Sequence, residues 1–204
     1  MWANRDLFSA PADGVITSQS RLAPDEDVFD VKGADCTVND LLCRKLDGPA
    51  LVTAIFMTAA DVHCNRTPTD VTMTRHAVPP LRTSNVPMIW AEHDLLDKGL
   101  IRPGTFGFMQ SNKRVVNRCY CGSLKYEYWL VQIADSDVNC ILPVKDEKTA
   151  YYNQNEVFGK IEWGSMCVLV LPLNPRLRLR PLHKVLTHVE AGVDPLVSIE
   201  RRDR

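Results

Sequence analysis

Val157-Phe-Gly-Lys-Ile-Glu-Trp-Gly-Ser-Met-Cys-Val-Leu-Val-Leu-Pro172 reads as two extended segments meeting at Gly164-Ser165. Cys167–Leu171 is a continuous apolar run of strand length, stopped by Pro172, which cannot donate to a sheet. Val157–Trp163 is expected to form the other strand of a hairpin, with Gly164-Ser165 as its turn. Similar short runs predict strands at Gly14–Ile16, Leu51–Met57, Tyr126–Ile133 and Leu177–Leu179. Arg176-Leu-Arg-Leu-Arg180 alternates charge and leucine, so one face is buried and one is wet. Helical signals are few. Thr37 or Asn39 caps a short helix through Leu46, ended by Asp47-Gly48-Pro49, and Pro87–Leu100 holds another before Pro103. The expected fold is one α+β domain over residues 1–204. It is β-dominated, with short, mostly antiparallel strands and a few helices.

Composition narrows the function classes. A chain of 204 residues with 45% hydrophobic residues can bury a sizeable core. Its net charge of -1 gives no electrostatic reason to expect a nucleic-acid partner. No apolar run approaches the ~20 residues of a membrane-spanning helix. Met1–Ala10 carries Arg5 and Asp6 and lacks the apolar middle of a signal peptide. Seven cysteines, without paired Cys-x-x-Cys spacing, fit a reducing cytoplasm and no metal centre. Cys119 and Cys121, two apart, would share one face of a strand.

Three segments could carry chemistry. In Ser9-Ala-Pro-Ala-Asp-Gly14, a tight turn holds Asp13 where a strand begins; such turns are common, and a rigid carboxylate there could also orient a histidine. In Ile55-Phe-Met-Thr-Ala-Ala-Asp-Val-His-Cys-Asn-Arg-Thr-Pro68, an apolar strand runs into Asp61, His63, Asn65 and Arg66. Extended geometry would put Asp61, His63 and Asn65 on one face, with His63 as a general base or a structural histidine. His76, His93, His183 and His188 have no comparable setting and read as surface or structural. The third segment is Gly164-Ser165. Its rival is Gly122-Ser123, which also leads into an apolar stretch, and spacing alone does not choose between them.

Taken in order, these segments resemble the short form of the phosphatidylserine decarboxylase family. Ser9–Gly14 is similar to its Ser-Pro-Ala-Asp-Gly turn, with Ala10 extra, and Val31-Lys-Gly33 and Asn39-Asp-Leu-Leu42 match the stretch that follows. Ile55–Pro68 matches Ile-Phe-Met-Ser-x-x-Asp-Val-His-x-Asn-Arg-x-Pro closely. Asn112-Lys113-Arg114 echoes an Asn-Glu-Arg element, Phe158–Pro172 the Gly-Ser strand, and Glu190-Ala-Gly192 the closing hairpin.

The resemblance implies a proenzyme cut between Gly164 and Ser165, with Ser165 converted into a pyruvoyl cofactor. It implies roles for Ser165, His63 and Asp13 in self-processing or catalysis, with Asp13 polarising His63. Asn65, Arg66 and Trp163 are the expected substrate-binding residues. The implied reaction is condensation of a substrate amine with the ketone, followed by loss of the α-carboxylate as CO2. A homodimer is also implied. The sequence departs from the pattern at Met166, where Thr or Arg usually follows the serine, at Trp163, at Val71 in place of Gly and at Lys113 in place of Glu. About eight residues precede the Asp-Gly turn, fewer than in membrane-acting members. The expected substrate is therefore a soluble amino acid or metabolite. Phosphatidylserine at a membrane surface, reached through Val86–Trp90, is the alternative. A non-cleaving homologue that acts as a binding or scaffold protein is another.

Overall fold

The computed structural model describes residues 6–28, 36–80, 88, 93, 108–135, 141–162 and 165–202. Its centre is an eight-stranded antiparallel sheet. Five of its strands are β2 (Gly14–Leu22), β3 (Ala50–Met57), β5 (Val71–Val78), β6 (Arg114–Cys121) and β7 (Tyr126–Ala134). The other three are β9 (Thr149–Tyr152), β11 (Ser165–Pro172) and β13 (His188–Val189). The order is β13-β2-β3-β11-β7-β6-β5-β9. Two three-stranded sheets accompany it. One is β1-β14-β12, from β1 (Leu7–Ser9), β14 (Pro195–Arg201) and β12 (Leu177–Pro181). The other is β4-β10-β8, from β4 (Cys64–Arg66), β10 (Val157–Ile161) and β8 (Ile141–Pro143). Strands dominate, and the described helices are α1 (Val38–Leu42) and α2 (Phe108–Ser111).

The central strands are apolar on both faces because both faces are covered. Cys167, Leu169 and Leu171 join Phe8, Phe158, Leu179 and Val197 of the small sheets in one core. Met166, Val168 and Val170 join Leu41 of α1 and Phe108 and Met109 of α2 in the other. Met166 is fully buried, so packing against that second layer accounts for an apolar residue after the serine. Val71 is likewise core, at the start of β5. Leu177 and Leu179 point in and Arg178 and Arg180 out, as their alternation predicts.

Some expectations need correction. β10 and β11 do not form a hairpin: β10 pairs with β4 and β8, whereas β11 pairs with β3 and β7. β10 ends in the small sheet at Ile161 and β11 begins in the central sheet at Ser165, so the chain changes sheets between these two strands. The first helix ends at Leu42, not Leu46, because Cys43 takes a left-handed cap at φ 50°. Its start is as read: Thr37 and Asp40 form a reciprocal capping box. The helix expected over Pro87–Leu100 lies outside the described residues, apart from Met88 and His93. Met88 is buried in the second core, which makes it packing and not membrane contact. No described helix is long and apolar enough to cross a membrane.

Candidate active site

The sheet register gathers the candidate segments at one end of the molecule. Ser165 begins β11, its backbone paired with Met57 on one side and Ala134 on the other. One strand further, Val15 pairs with Phe56, which places Asp13-Gly14 beside the same corner. Strand spacing of ~4.8 Å puts this turn two strands, roughly 10 Å, from β11. The rival Gly122-Ser123 lies in the tight β6–β7 turn, closed by Lys125 N–H donating to Gly122 O at 3.2 Å. That turn is at the far end of β7 from Ala134, remote from both Asp13 and His63. Ser165, and not Ser123, therefore lies at the end of the sheet that the Asp13-Gly14 turn also reaches. Trp163 and Gly164 themselves lie outside the described residues.

His63 is fixed from two sides. Its Nδ1 lies 3.1 Å from Ile161 O and its Nε2 2.8 Å from Thr58 O. Ile161 N–H in turn donates to His63 O at 3.0 Å. Ile161 is the last residue of β10 before the crossing, and Thr58 follows Met57, the partner of Ser165. The half-buried ring thus sits between the two chain segments that define the corner. A neutral imidazole donates to one of these carbonyls, and a doubly protonated ring to both.

The single face expected for Asp61, His63 and Asn65 is not formed. β3 ends at Met57, and Asp61 N–H donates to Thr58 O at 3.0 Å, closing a turn that breaks the alternation of side chains. Within it, Asp61 Oδ2 accepts from Thr58 N at 2.7 Å and from Thr58 Oγ1 at 2.8 Å. Asp61 Oδ1 meets His188 Nε2 at 2.6 Å. Desolvation pushes the Asp61 carboxyl up, but the bonds from His188 and Thr58 outweigh it and hold it below the usual range. His188 was legible only as a surface residue, because its partner is 127 positions away. It tethers the turn whose carbonyl holds His63.

Asp13 does not polarise His63 here. Its Oδ1 accepts from Ala191 N–H at 2.6 Å, tying the Asp-Gly turn to the Glu190-Ala-Gly192 segment. Both ring nitrogens of His63 face backbone carbonyls instead. Asn65 is fully buried; its Oδ1 accepts from Gln132 Nε2 at 2.8 Å, and Gln132 Oε1 accepts from Asn117 Nδ2 at 3.2 Å. Arg66 Nη1 donates to Asn155 O at 2.8 Å, and its side chain packs beside Gly192. Asn65 and Arg66 thus brace the site in this structure. Cys119 and Cys121 share a buried face, as their spacing predicts. Burial pushes the Cys119 thiol well up and the Cys167 thiol to about 12, so both are inert thiols at neutral pH. No metal-holding cluster occurs among the described residues.

This β-sheet scaffold, with a histidine clamped between the end of β10 and the turn after β3, falls among the decarboxylases by sequence comparison. The profile for phosphatidylserine decarboxylase matches residues 2–194, and the chain belongs to that family. No individually curated protein matches the chain significantly.

Proposed function

We propose that this chain is a proenzyme that cuts itself between Gly164 and Ser165 and then acts as a pyruvoyl-dependent decarboxylase on an amine that carries an α-carboxylate. The observation that carries this reading is the convergence of Asp13-Gly14, His63 and Ser165 on one end of the central sheet. In self-processing, the Ser165 hydroxyl loses its proton and attacks the Gly164 carbonyl carbon, and the amide becomes an ester. β-Elimination then releases Gly164 as a carboxylate and leaves dehydroalanine. Addition of water and loss of ammonia convert this to the pyruvoyl group.

The residues present fit such a group. Position 165 heads a strand paired on both sides, so the new chain end stays in place after the cut. When formed, the pyruvoyl group supplies the electron sink for loss of CO2. His63 is the proton carrier. Its Nδ1 is held by a strand carbonyl, Ile161 O, a common way to fix ring orientation. Its Nε2 contacts Thr58 O in a turn whose next residues, Ala59 and Ala60, are exposed, so Nε2 is the nitrogen free to exchange partners. Asp13 positions the Asp-Gly turn through Ala191 rather than acting on the ring. Six described cysteines, all free, fit a reducing compartment and so the proposed cytoplasmic setting; a soluble amine is the substrate we propose.

Intact-mass measurement under denaturing conditions tests this. The expected result is two chains, 1–164 and one starting at position 165 that lacks a free amine. Ser165→Ala is expected to stay whole and release no CO2. A single unmodified chain in fresh wild-type protein would overturn the enzyme reading and favour a non-cleaving binding homologue. CO2 release only with phosphatidylserine vesicles would move the substrate to the membrane surface.

A further inference from the structure

Three buried amides form a line from β6 through β7 to β4. Asn65 and Asn117 are 0% exposed and Gln132 is 3% exposed. Gln132 Nε2 donates to Asn65 Oδ1 at 2.8 Å, and Asn117 Nδ2 donates to Gln132 Oε1 at 3.2 Å. The far end sets the direction of the line. Asn117 Nδ2 also donates to Leu130 O at 3.1 Å, and a carbonyl oxygen can only accept, so the amide nitrogen must face it. Gln132 then offers its oxygen to Asn117 and its nitrogen to Asn65. Asn65 in turn keeps its own nitrogen for the opposite side. Gly159 of β10 leaves room for this arrangement, since a Cβ there would lie 2.9 Å from Gln132 Nε2.

Buried polar groups are nearly always well paired, and both ends of this line break that rule. Asn117 Oδ1 is buried without a hydrogen-bond partner. Asn65 Nδ2 carries two N–H groups, and its acceptor among the described residues is Met57 Sδ at 3.6 Å. A thioether is a weak acceptor. The line therefore holds a strong donor, away from water, against a poor partner. That partner stands at the reactive end of the sheet. Met57 pairs with Ser165, which places their Cα atoms about 5 Å apart. Ala134, the other neighbour of Ser165, is two residues along β7 from Gln132 and shares a core with Met57. The donor thus ends one side chain away from the residue opposite position 165.

We infer that Asn65 Nδ2 is the donor that stabilises the oxyanion of self-cleavage, and that Gln132 and Asn117 are the residues that position it. The inference rests on the proposed cut between Gly164 and Ser165. In that step the Ser165 oxygen bonds to the Gly164 carbonyl carbon, and its proton passes to His63, the proposed proton carrier. The carbonyl π pair moves onto the Gly164 oxygen. Collapse of this oxyanion breaks the C–N bond, and His63 returns the proton to the nitrogen, leaving an ester and a free amine. Charge on that oxygen is best met by a donor already aimed and already dry. Asn65 is such a donor, and the flexible Met57 side chain is a placeholder that gives way to the oxygen.

Full-length chain made by cell-free synthesis and followed by intact mass under denaturing conditions tests this, because cutting is read without any decarboxylation. Asn65→Ala is expected to slow cutting about a hundredfold, the usual loss when one oxyanion donor is removed. Gln132→Glu keeps the side-chain shape but gives Asn65 an acceptor. The Asn65 amide then turns over, its oxygen faces the reaction, and cutting slows at least about tenfold. The double variant is expected to cut no more slowly than Asn65→Ala alone, because Gln132 acts through Asn65. In uncut Ser165→Ala, the NMR signal of the Asn65 side-chain amide is expected to move when Gln132→Glu is added. If melting shows either variant unfolded, Gly159→Ala serves in its place. Its methyl displaces the flexible Gln132 amide without adding charge, and cutting is expected to slow several-fold. Three results overturn the inference and leave the self-cutting proenzyme standing: wild-type rates in the folded variants, a double variant slowed by the product of the single effects, or an unmoved Asn65 signal. A wild-type chain that stays whole overturns both.

Discussion

Gly14 adopts φ +147°, and a Cβ there would drive into Phe56 O of the neighbouring strand. Only glycine accommodates both the dihedral and the approach, so this residue sets the position of Asp13 beside it. Gly14→Ala is expected to cost about 2–4 kcal/mol, read as a lowered urea midpoint. The Asp61–His188 contact makes a different kind of prediction. Hydrogen bonds from His188 and Thr58 depress the Asp61 carboxyl despite its desolvation. Its contribution to stability is therefore complete above the ordinary carboxyl value, near 3.8, and is lost as pH falls through the lowered folded value. In His188→Ala one of those donors is gone. Asp61 is then expected to titrate at higher pH by carboxyl NMR, and the acid-unfolding midpoint to move upward. An unmoved Asp61 titration would show that His188 does not hold the turn. This pair was illegible beforehand because nothing local marks a contact between positions 61 and 188. Asp13 was legible as a rigid turn residue but not in its partner, since the Ala191 N–H that it accepts from is as remote in sequence.

At the scale of elements, strands were legible where both faces are buried. β3, β7 and β11 are each mainly apolar along their length, and their observed bounds differ from the expected ones by two residues or fewer at either end. β5 and β6 escaped notice. β5 has one exposed face and an exposed end, and β6 interrupts its apolar residues with buried Arg114 and Asn117. Those polar residues make sense only in three dimensions: Arg114 satisfies carbonyls at the end of α1, and Asn117 Nδ2 donates to Leu130 O and Gln132 Oε1. The helix start was written locally. Thr37 Oγ1 accepts from Asp40 N at 3.1 Å, and Asp40 Oδ2 accepts from Thr37 N at 3.2 Å. Thr37→Ala is expected to cost about 1 kcal/mol in chemical denaturation.

For the whole molecule, the proposed cut at Ser165 would divide an interleaved structure. The segment from 165 onward supplies β11 and β13 to the eight-stranded sheet, and β12 and β14 to the sheet completed by β1. Met166 through Leu171 are completely buried, with β3 on one side and β7 on the other. Removing this strand would expose both cores and leave two rows of backbone groups unpaired. The processed chains are therefore expected to elute together under native conditions and to separate only in denaturant. Scission still changes the thermodynamics, because unfolding then releases two chains rather than one. For the processed protein, Tm is expected to rise with protein concentration, as for any folded state that dissociates on unfolding. Ser165→Ala, kept as one chain, is expected to show no such dependence if it is monomeric. Melting curves over a hundredfold range of concentration read the difference directly. A concentration-independent Tm in protein shown to be cut would mean that one chain retains the fold by itself, contrary to the central place of β11.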